Sequence, residues 1–345
     1  MSEKIVEQSL PLANDDDFTV EDFVFVQEGE RLKDRTYADT SYFKDVLHAF
    51  FKNKGAAIGL VIIILIILFA IFGPMVSGHA FDEIINAHQS LPPKIPFLSK
   101  LGIFNGVENG KDIYAAKGVD IAYWFGTDTS GRDLFTRVWQ GTRISLTIAL
   151  AAVVIDIVIG MSYGLISGYF GGKVDMVMQR FAEILNGIPT LVVVTLLGLV
   201  LPGGITSIIF ALMITGWIGM QRIARAEVLK LKESEYILAS RTLGASHFSI
   251  IFKDIMPNIF GQLIIMSMFS IPNAIFTEAF LSFVGLGIEP PAASLGSLIA
   301  EGYKSLTVHP FQISSAVIVL ALLMLSFNLF ADGLRDAFDP SQKRG

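Results

Sequence analysis

Two carboxylates interrupt runs that are otherwise apolar: Asp156 in IALAAVVIDIVIGMSYG and Glu278 in PNAIFTEAFLSFVG. An ionised carboxylate at the middle of a bilayer costs roughly 3 kcal/mol, so each must line a polar path or be held by another helix. Asp156 reads first as a hydrogen-bonded or protonated structural group and second as a pathway group. Glu278 has Asn273 and Thr277 close by in sequence and reads as facing a pore or holding the surrounding bundle, with proton coupling a further alternative. Asn186 and Asn328 have the character of interhelical hydrogen-bonders. Asp128, Arg132, Asp133 and Arg137 fall close together and could pair among themselves. Covalent chemistry finds no support. With no cysteine there is no thiol nucleophile, disulfide or Cys-based zinc site. Histidines 48, 79, 88, 247 and 309 have no metal-binding spacing, and the His-Glu-x-x-His and Gly-x-Ser-x-Gly patterns are missing. FGGKVD is no phosphate loop, because the first glycine of that motif would fall on Ser167 and Val174 follows the lysine. No catalytic residue and no metal site are expected.

The elements that place these residues are membrane helices. The 345 residues are 52% hydrophobic and 17% charged, with a mean hydropathy of +0.58; a soluble domain of this length carries more charge. The net charge of -6 is spread over two aqueous faces, and no nucleic-acid partner is expected. Runs able to cross ~30 Å of hydrocarbon at ~1.5 Å per residue lie at Ala56–Val76 and near Ser145–Ile166, Ala182–Leu201, Ile205–Met220, Leu263–Phe283 and Ser314–Phe330, an all-α bundle of roughly six helices. About fifty polar and acidic residues precede the first run, which is expected to act as an uncleaved anchor. Lys173 and Arg180, then Arg222, Arg225, Lys230, Lys232, Arg241 and Lys253, then Arg335, Lys343 and Arg344 mark one side of the membrane. The positive-inside rule puts both termini and residues 229–258 in the cytoplasm.

Met1 to about Thr40, with Asp15, Asp16, Asp17, Glu21, Asp22, Glu28 and Glu30, reads as a mobile cytoplasmic tail. Tyr42, Phe43, Val46, Leu47, Phe50 and Phe51 then form the apolar face of an interfacial helix. Ser77 to Arg143 is extracytoplasmic; Tyr123, Trp124 and Phe125 suit an interfacial belt, and Thr129-Ser130-Gly131 a turn before a short helix capped near Ser130. Gly160, Gly164 and Gly168 form a doubled small-xxx-small pattern that packs either within the chain or against a partner. The longest polar break is LKLKESEYILASRTLGASHFSIIFKDIMPN, Leu229 to Asn258. Leu231, Leu238 and Thr242 share one helical face, and Tyr236, Ala239, Ser240 and Leu243 a neighbouring stripe. Gly244 stops this helix. A second, through Phe248, Ile251, Phe252 and Ile255, is expected to end at Pro257. Ala239, Ser240 and Gly244 are small enough for another backbone to approach.

This stretch resembles the coupling motif of ABC importer permeases, Glu-Ala-Ala, three residues, Gly, then Ile-x-Pro. Ala239, Ser240, Gly244, Ile255, Met256 and Pro257 fill it, with Glu235 and Tyr236 ahead; Leu238 stands in place of the motif's Glu and Ser240 in place of its second Ala. Phe125, Gly126, Thr127, Asp128, Gly131, Arg132, Asp133, Leu134, Phe135, Thr136 and Arg137 match a signature of the oligopeptide and dipeptide permease family. The likeness continues through GYFGGKVD, TEAFLSFVGLGIEPPAASLGSLIAEG and FNLFADGLRDAFDP, covering nearly everything after Tyr123.

The resemblance implies the transmembrane fold of a type I ABC importer, in the second permease subunit of a bacterial or archaeal cell membrane. The organisation it implies is a tail with interfacial helix at 1–54, a first transmembrane helix at 55–78, an extracytoplasmic segment at 79–140, a permease core at 141–333 holding the 229–258 coupling loop, and a cytoplasmic end at 334–345. Its partners would be a homologous permease, two cytoplasmic ABC ATPases that bind ATP and Mg, an extracytoplasmic peptide-binding protein and membrane lipid. This chain would hold no cofactor. Coupling to the ATPase falls on Glu235, Tyr236, Ala239, Ser240, Arg241, Gly244, Ala245, Ile255 and Pro257. Asp128, Gly131, Arg132, Asp133 and Arg137 fall on the external gate or binding-protein side, and Asp156, Asn273 and Glu278 on the pathway or bundle. An ion-coupled transporter using Asp156 and Glu278, or an importer of nickel or another small solute, are the alternatives.

Overall fold

The apolar runs become helices whose ends are set by caps, glycine and proline. A computed structural model of the chain describes residues 42–108, 110–201 and 204–338. The acidic tail, Lys343 and Arg344 lie outside the described residues. From Val46 onward the described residues form one packed unit. The helices of eight or more residues are α1 (Tyr42–Lys52), α2 (Lys54–Ser77), α3 (Leu134–Phe170), α4 (Gly172–Asn186), α5 (Thr190–Val200), α6 (Ile205–Leu231), α7 (Glu235–Thr242), α8 (His247–Phe283), α9 (Leu295–Lys304) and α10 (Phe311–Phe338). Among the described residues α2, α3, α6, α8 and α10 are long and apolar enough to cross a membrane, and α4 with α5 makes a sixth span only as a bent pair.

Three expectations about helix limits need correction. The run expected as one span at Ala182–Leu201 is broken: α4 and α5 meet at 77°. Gly187 ends α4 and Pro189 opens α5, because proline has no N–H to continue a helix and forces the residue before it out of the helical region. Pro257 does not end the helix after the polar break, since the 37-residue α8 continues past it to Phe283. A π-helical turn, Ile250–Ile255, leaves Pro257 in the first turn of the regular segment, where a missing N–H is harmless. Finally, no short helix is capped at Ser130. Asp133 caps α3 by accepting from the Phe135 and Thr136 amides, and the 37-residue α3 starts there.

Lipid tails are as apolar as leucine, so these helices must hold one another by close contact rather than by hydrophobic drive. Along α3 the glycine pattern meets α6. A Cβ on Gly160 would stand 2.7 Å from the Met220 Cβ, one on Gly164 2.5 Å from the Gln221 carbonyl oxygen, and one on Gly168 2.9 Å from the Val228 Cβ. The small-residue pattern is therefore used inside the chain. Gly333 of α10 similarly admits Ala56 of α2. In α2, Pro74 leaves the Ala70 carbonyl without its helical donor, and Arg143 of α3 donates Nε to it and Nη2 to the Ile71 carbonyl.

The pairing of Gly160 with Met220 and Gly168 with Val228 makes α3 and α6 parallel. The ends of α3, α6 and α10 and the starts of α2 and α8 thus share one end of the bundle, here the hairpin side, with α7 between them. Val46 and Phe50 of α1 pack there against Ala56 and Ala337, while Leu47 and Phe51 stay exposed. At the opposite end, residues 79–133 form an insert around Leu91, Tyr114, Val119 and Tyr123, with β1 (Val107–Glu108) paired to β2 (Lys111–Asp112). Tyr123 is buried in it and bonded to His88 Nδ1 at 2.6 Å; burial pushes its hydroxyl up to about 12. It is not part of an interfacial belt, and Phe125 packs edge-on against Phe135.

The α3–α6 contact leaves no room for a side chain. Gly164→Leu is expected to cost about 2 kcal/mol or more through overpacking, read as a lower unfolding midpoint in detergent; an unchanged midpoint would refute the seam.

Candidate functional site: three polar clusters and the exposed hairpin

On the insert side three of the four charged residues expected to pair, Asp128, Arg132 and Arg137, do so, joined by Glu301 of α9, which sequence reasoning missed. Arg132 Nε donates to Asp128 Oδ2 at 2.7 Å and Arg137 Nη1 to the same oxygen at 2.6 Å. Arg137 also donates Nη1 and Nη2 to the two Glu301 oxygens at 2.7 and 3.1 Å, a bidentate arrangement. Arg137 has 0% exposure. Asp128 Oδ1 accepts from the Ser130 and Arg132 amides, and Gly131 adopts φ +83, where a Cβ would meet the Ile85 carbonyl at 2.1 Å. Asp133 stands apart as the cap of α3, accepting from Ser77 Oγ at 2.6 Å. With two cations against two anions, the cluster closes on itself. It ties insert, α3 and α9 together beside a cleft of about 270 Å³. The signal for Glu301 was its single charge at the end of the apolar ASLGSLIAEG run.

Deeper in, Glu278 of α8 is fully buried and holds the bundle. Ser145 of α3 donates to one of its oxygens at 2.9 Å and Ser282 to the other at 2.7 Å. Ser294 caps α9 and lies 3.3 Å from Ser282, and a Cβ on Gly296 would stand 2.4 Å from Ala279 Cα. The run TEAFLSF thus brings α3, α8 and α9 to close contact.

On the hairpin side Asp175 of α4 forms a two-point pair with Arg225 of α6 at 2.6 and 2.5 Å and accepts from Ser167 at 2.5 Å. Gly168 and Asp175 in GYFGGKVD therefore fix the corner between α3 and α4 against α6. Below it lies the hairpin. α7 is anchored by Ile237, absent from the stripes expected, which packs with Leu165, Val228, Ile250 and Ile255. Tyr169 bonds to His247 Nδ1 at 2.9 Å, and the Arg241 guanidinium sits 5.2 Å over the Tyr169 ring.

The residues assigned to coupling divide into two groups. Glu235, Tyr236, Ala239, Arg241, Gly244 and Pro257 are exposed and Ser240 and Ala245 half-buried, while Ile255 is buried in the hairpin's base. Gly244 ends α7 at φ +81 with nothing within 4 Å of a Cβ placed there. Leu243 is 87% and Phe248 76% exposed. Among the described residues nothing covers this surface of small and apolar groups.

Comparison with known proteins places this geometry. Residues 160–344 match the family model described as binding-protein-dependent transport system inner membrane component, and residues 41–93 the N-terminal TM domain of oligopeptide transport permease C. The chain is 43% identical over 304 residues to the oligopeptide transport system permease protein OppC of Bacillus subtilis, covering 88% of this chain and 91% of that protein. It is 46% identical over 311 residues to the dipeptide transport system permease protein DppC of Lactococcus lactis subsp. cremoris, covering 87% and 91%. The chain belongs to the oligopeptide and dipeptide ABC permease family. The permease shares its fold with a chain of the MetNI methionine ABC transporter in an inward-facing form, at TM-score 0.50, 18% identity and coverage of 59% of this chain and 97% of that one. A transport subunit of the inner membrane, rather than an ion-coupled transporter, is what these findings support.

Removing Arg137 would leave buried Asp128 with one of its two cationic partners and take the two-point partner from Glu301. Arg137→Met is expected to destabilise the permease by about 3 kcal/mol, measured by denaturant unfolding in detergent; a change below about 0.5 kcal/mol would show that the cluster holds nothing.

Proposed function

We propose that this permease is one of a homologous pair in an ATP-driven importer that carries oligopeptides or dipeptides into the cytoplasm by alternating access. Two separate ATPases beneath the bundle bind ATP and Mg, and a peptide-binding protein delivers substrate at the insert side. The hairpin side, with both termini, faces the cytoplasm, in keeping with Lys173, Arg180, Arg222, Arg225, Lys230, Lys232, Arg241 and Lys253 there. The limits proposed are a coupling loop at 229–258 within a core at 141–333 and an extracytoplasmic segment at 79–140, the insert with the first turns of α3, that meets the binding protein.

The observation that carries this reading is α7, a short helix held from behind by Ile237 while Tyr236, Ala239 and Gly244 face outward. A partner's cleft closing on that stripe moves α7. Because Ile237, Ile250 and Ile255 weld it to α3, α6 and α8, the bundle moves with it. Such a contact switches the bundle only if it differs in free energy between the two states. The relatives named for oligopeptide and dipeptide transport support the substrate class, which takes precedence over nickel or another small solute.

Ala239→Glu adds bulk and charge on the exposed stripe without touching the core of α7. It is expected to lower peptide uptake in proteoliposomes of the assembled importer at least tenfold while the subunit still inserts and folds. Uptake at the wild-type rate would contradict the docking role.

A further inference from the structure

The carboxylates of Asp128, Asp175 and Glu278 are held by arginines or by serines, whereas Asp156 has no ion pair among the described residues. It opens the π-helical turn Asp156–Met161 of α3, well inside the span, and is 4% exposed. Ser270 of α8 lines the same cavity, its hydroxyl donating to the Met266 carbonyl at 3.3 Å. Asp128 and Asp175 each have arginines, and Glu278 has a serine on either oxygen. Asp156 instead lines a cavity of about 50 Å³ with Ser270, Asn273 and Thr277, walled by Leu212 and Gly216 of α6.

The cavity opens on a face of α8 that is unlike a lipid-facing one. Asn273, Phe276, Thr277 and Phe280 share that face at helical spacing; Asn273, Phe276 and Phe280 are exposed in the single chain and Thr277 half-buried. Thr277 donates to the Asn273 backbone carbonyl at 2.8 Å, and Asn273 itself is an exposed amide residue within the span. An amide turned to hydrocarbon would lose its hydrogen bonds with nothing in exchange. This face therefore turns toward a partner subunit or an aqueous path.

We infer that the Asp156 pocket seats the protonated amino terminus of the peptide during passage, an inference that rests on the reading of this chain as a peptide importer subunit. An ammonium group carries three N–H donors. They match the Asp156 carboxylate, the Asn273 amide oxygen and a hydroxyl of Ser270 or Thr277, and the bond to the carboxylate is charge-assisted. Each water-sized group fills on the order of 10–15 Å³, so the cavity takes an ammonium group with a water or two and no whole residue. The pocket would grip the one cationic group common to free peptides and ignore the side chains that follow.

The chain has no cysteine, so Asn273→Cys puts a single thiol of this subunit at the pocket mouth, with Thr277→Cys as a second reporter. In importer assembled with cysteine-free partners, the thiol is modified by methanethiosulfonates bearing either a trimethylammonium or a sulfonate group, each rate normalised to a free thiol in solution. The expected result is at least a tenfold preference for the cationic reagent, lost when Asp156→Asn is added. Free-amine peptide delivered by the binding protein should slow the reaction, and its N-acetylated counterpart should not. Unreactive thiols at both positions, equal rates, a preference that survives Asp156→Asn, or equal protection by the acetylated peptide would each overturn the inference. Failure of the functional reading shows differently: wild-type importer takes up no peptide, whatever the labelling.

Discussion

The architecture depends on the close approach of α3 to α6 along Gly160, Gly164 and Gly168. In a bilayer nothing pushes helices together, so contact of backbone on side chain over three successive turns is what holds them. That seam fixes the depth of every polar group on α3: Arg137 and Ser145 toward the insert, Asp156 in the middle, Ser167 near the hairpin. It also sets α6 so that Arg225 meets Asp175 and Val228 meets Ile237. The hairpin is thus joined to the bundle through packed side chains rather than a flexible tether.

The charged groups then separate by how they are closed. The Asp128–Arg132–Arg137–Glu301 cluster and the Asp175–Arg225 pair are neutral sets that hold elements together. The buried carboxylate of Glu278 is held by hydroxyls from two helices. Breaking such sets leaves a buried charge uncompensated, which costs far more than the pair contributes when intact. Among the described residues, the hairpin stripe on one side and the Asp156 pocket within the span are left without such closure.

Much of this was legible in the sequence. Apolar runs of membrane length located the spans, Gly244 ended α7 as its conformational freedom requires, and the ordered signatures pointed to the permease family. Asp128, Arg132, Asp133 and Arg137 were seen as mutual partners because they are near in sequence, and all but Asp133, which caps α3, are. Their fourth member, Glu301, could not be, since it arrives through folding from 164 residues away. The same reason hid the match of Asp175 to Arg225, 50 residues apart. Local rules failed where a helix tolerates a disruption. Pro257 follows a π-helical turn and is absorbed into α8, whereas Pro189, after Gly187, breaks the chain between α4 and α5. Hydropathy cannot tell these prolines apart, because the difference lies in which carbonyls lose a donor. Ile237 was missed because the stripes chosen for α7 described its outward face.

The central claim is that α7 is the seat of an ATPase belonging to another chain. It is tested most directly by purifying the complex from native membranes in mild detergent through a tag on this subunit and identifying what accompanies it. Recovery of a second permease and two ATPases in stoichiometric amounts is the predicted result. Recovery of this chain alone, with no ATPase under conditions that preserve its fold, would contradict the account.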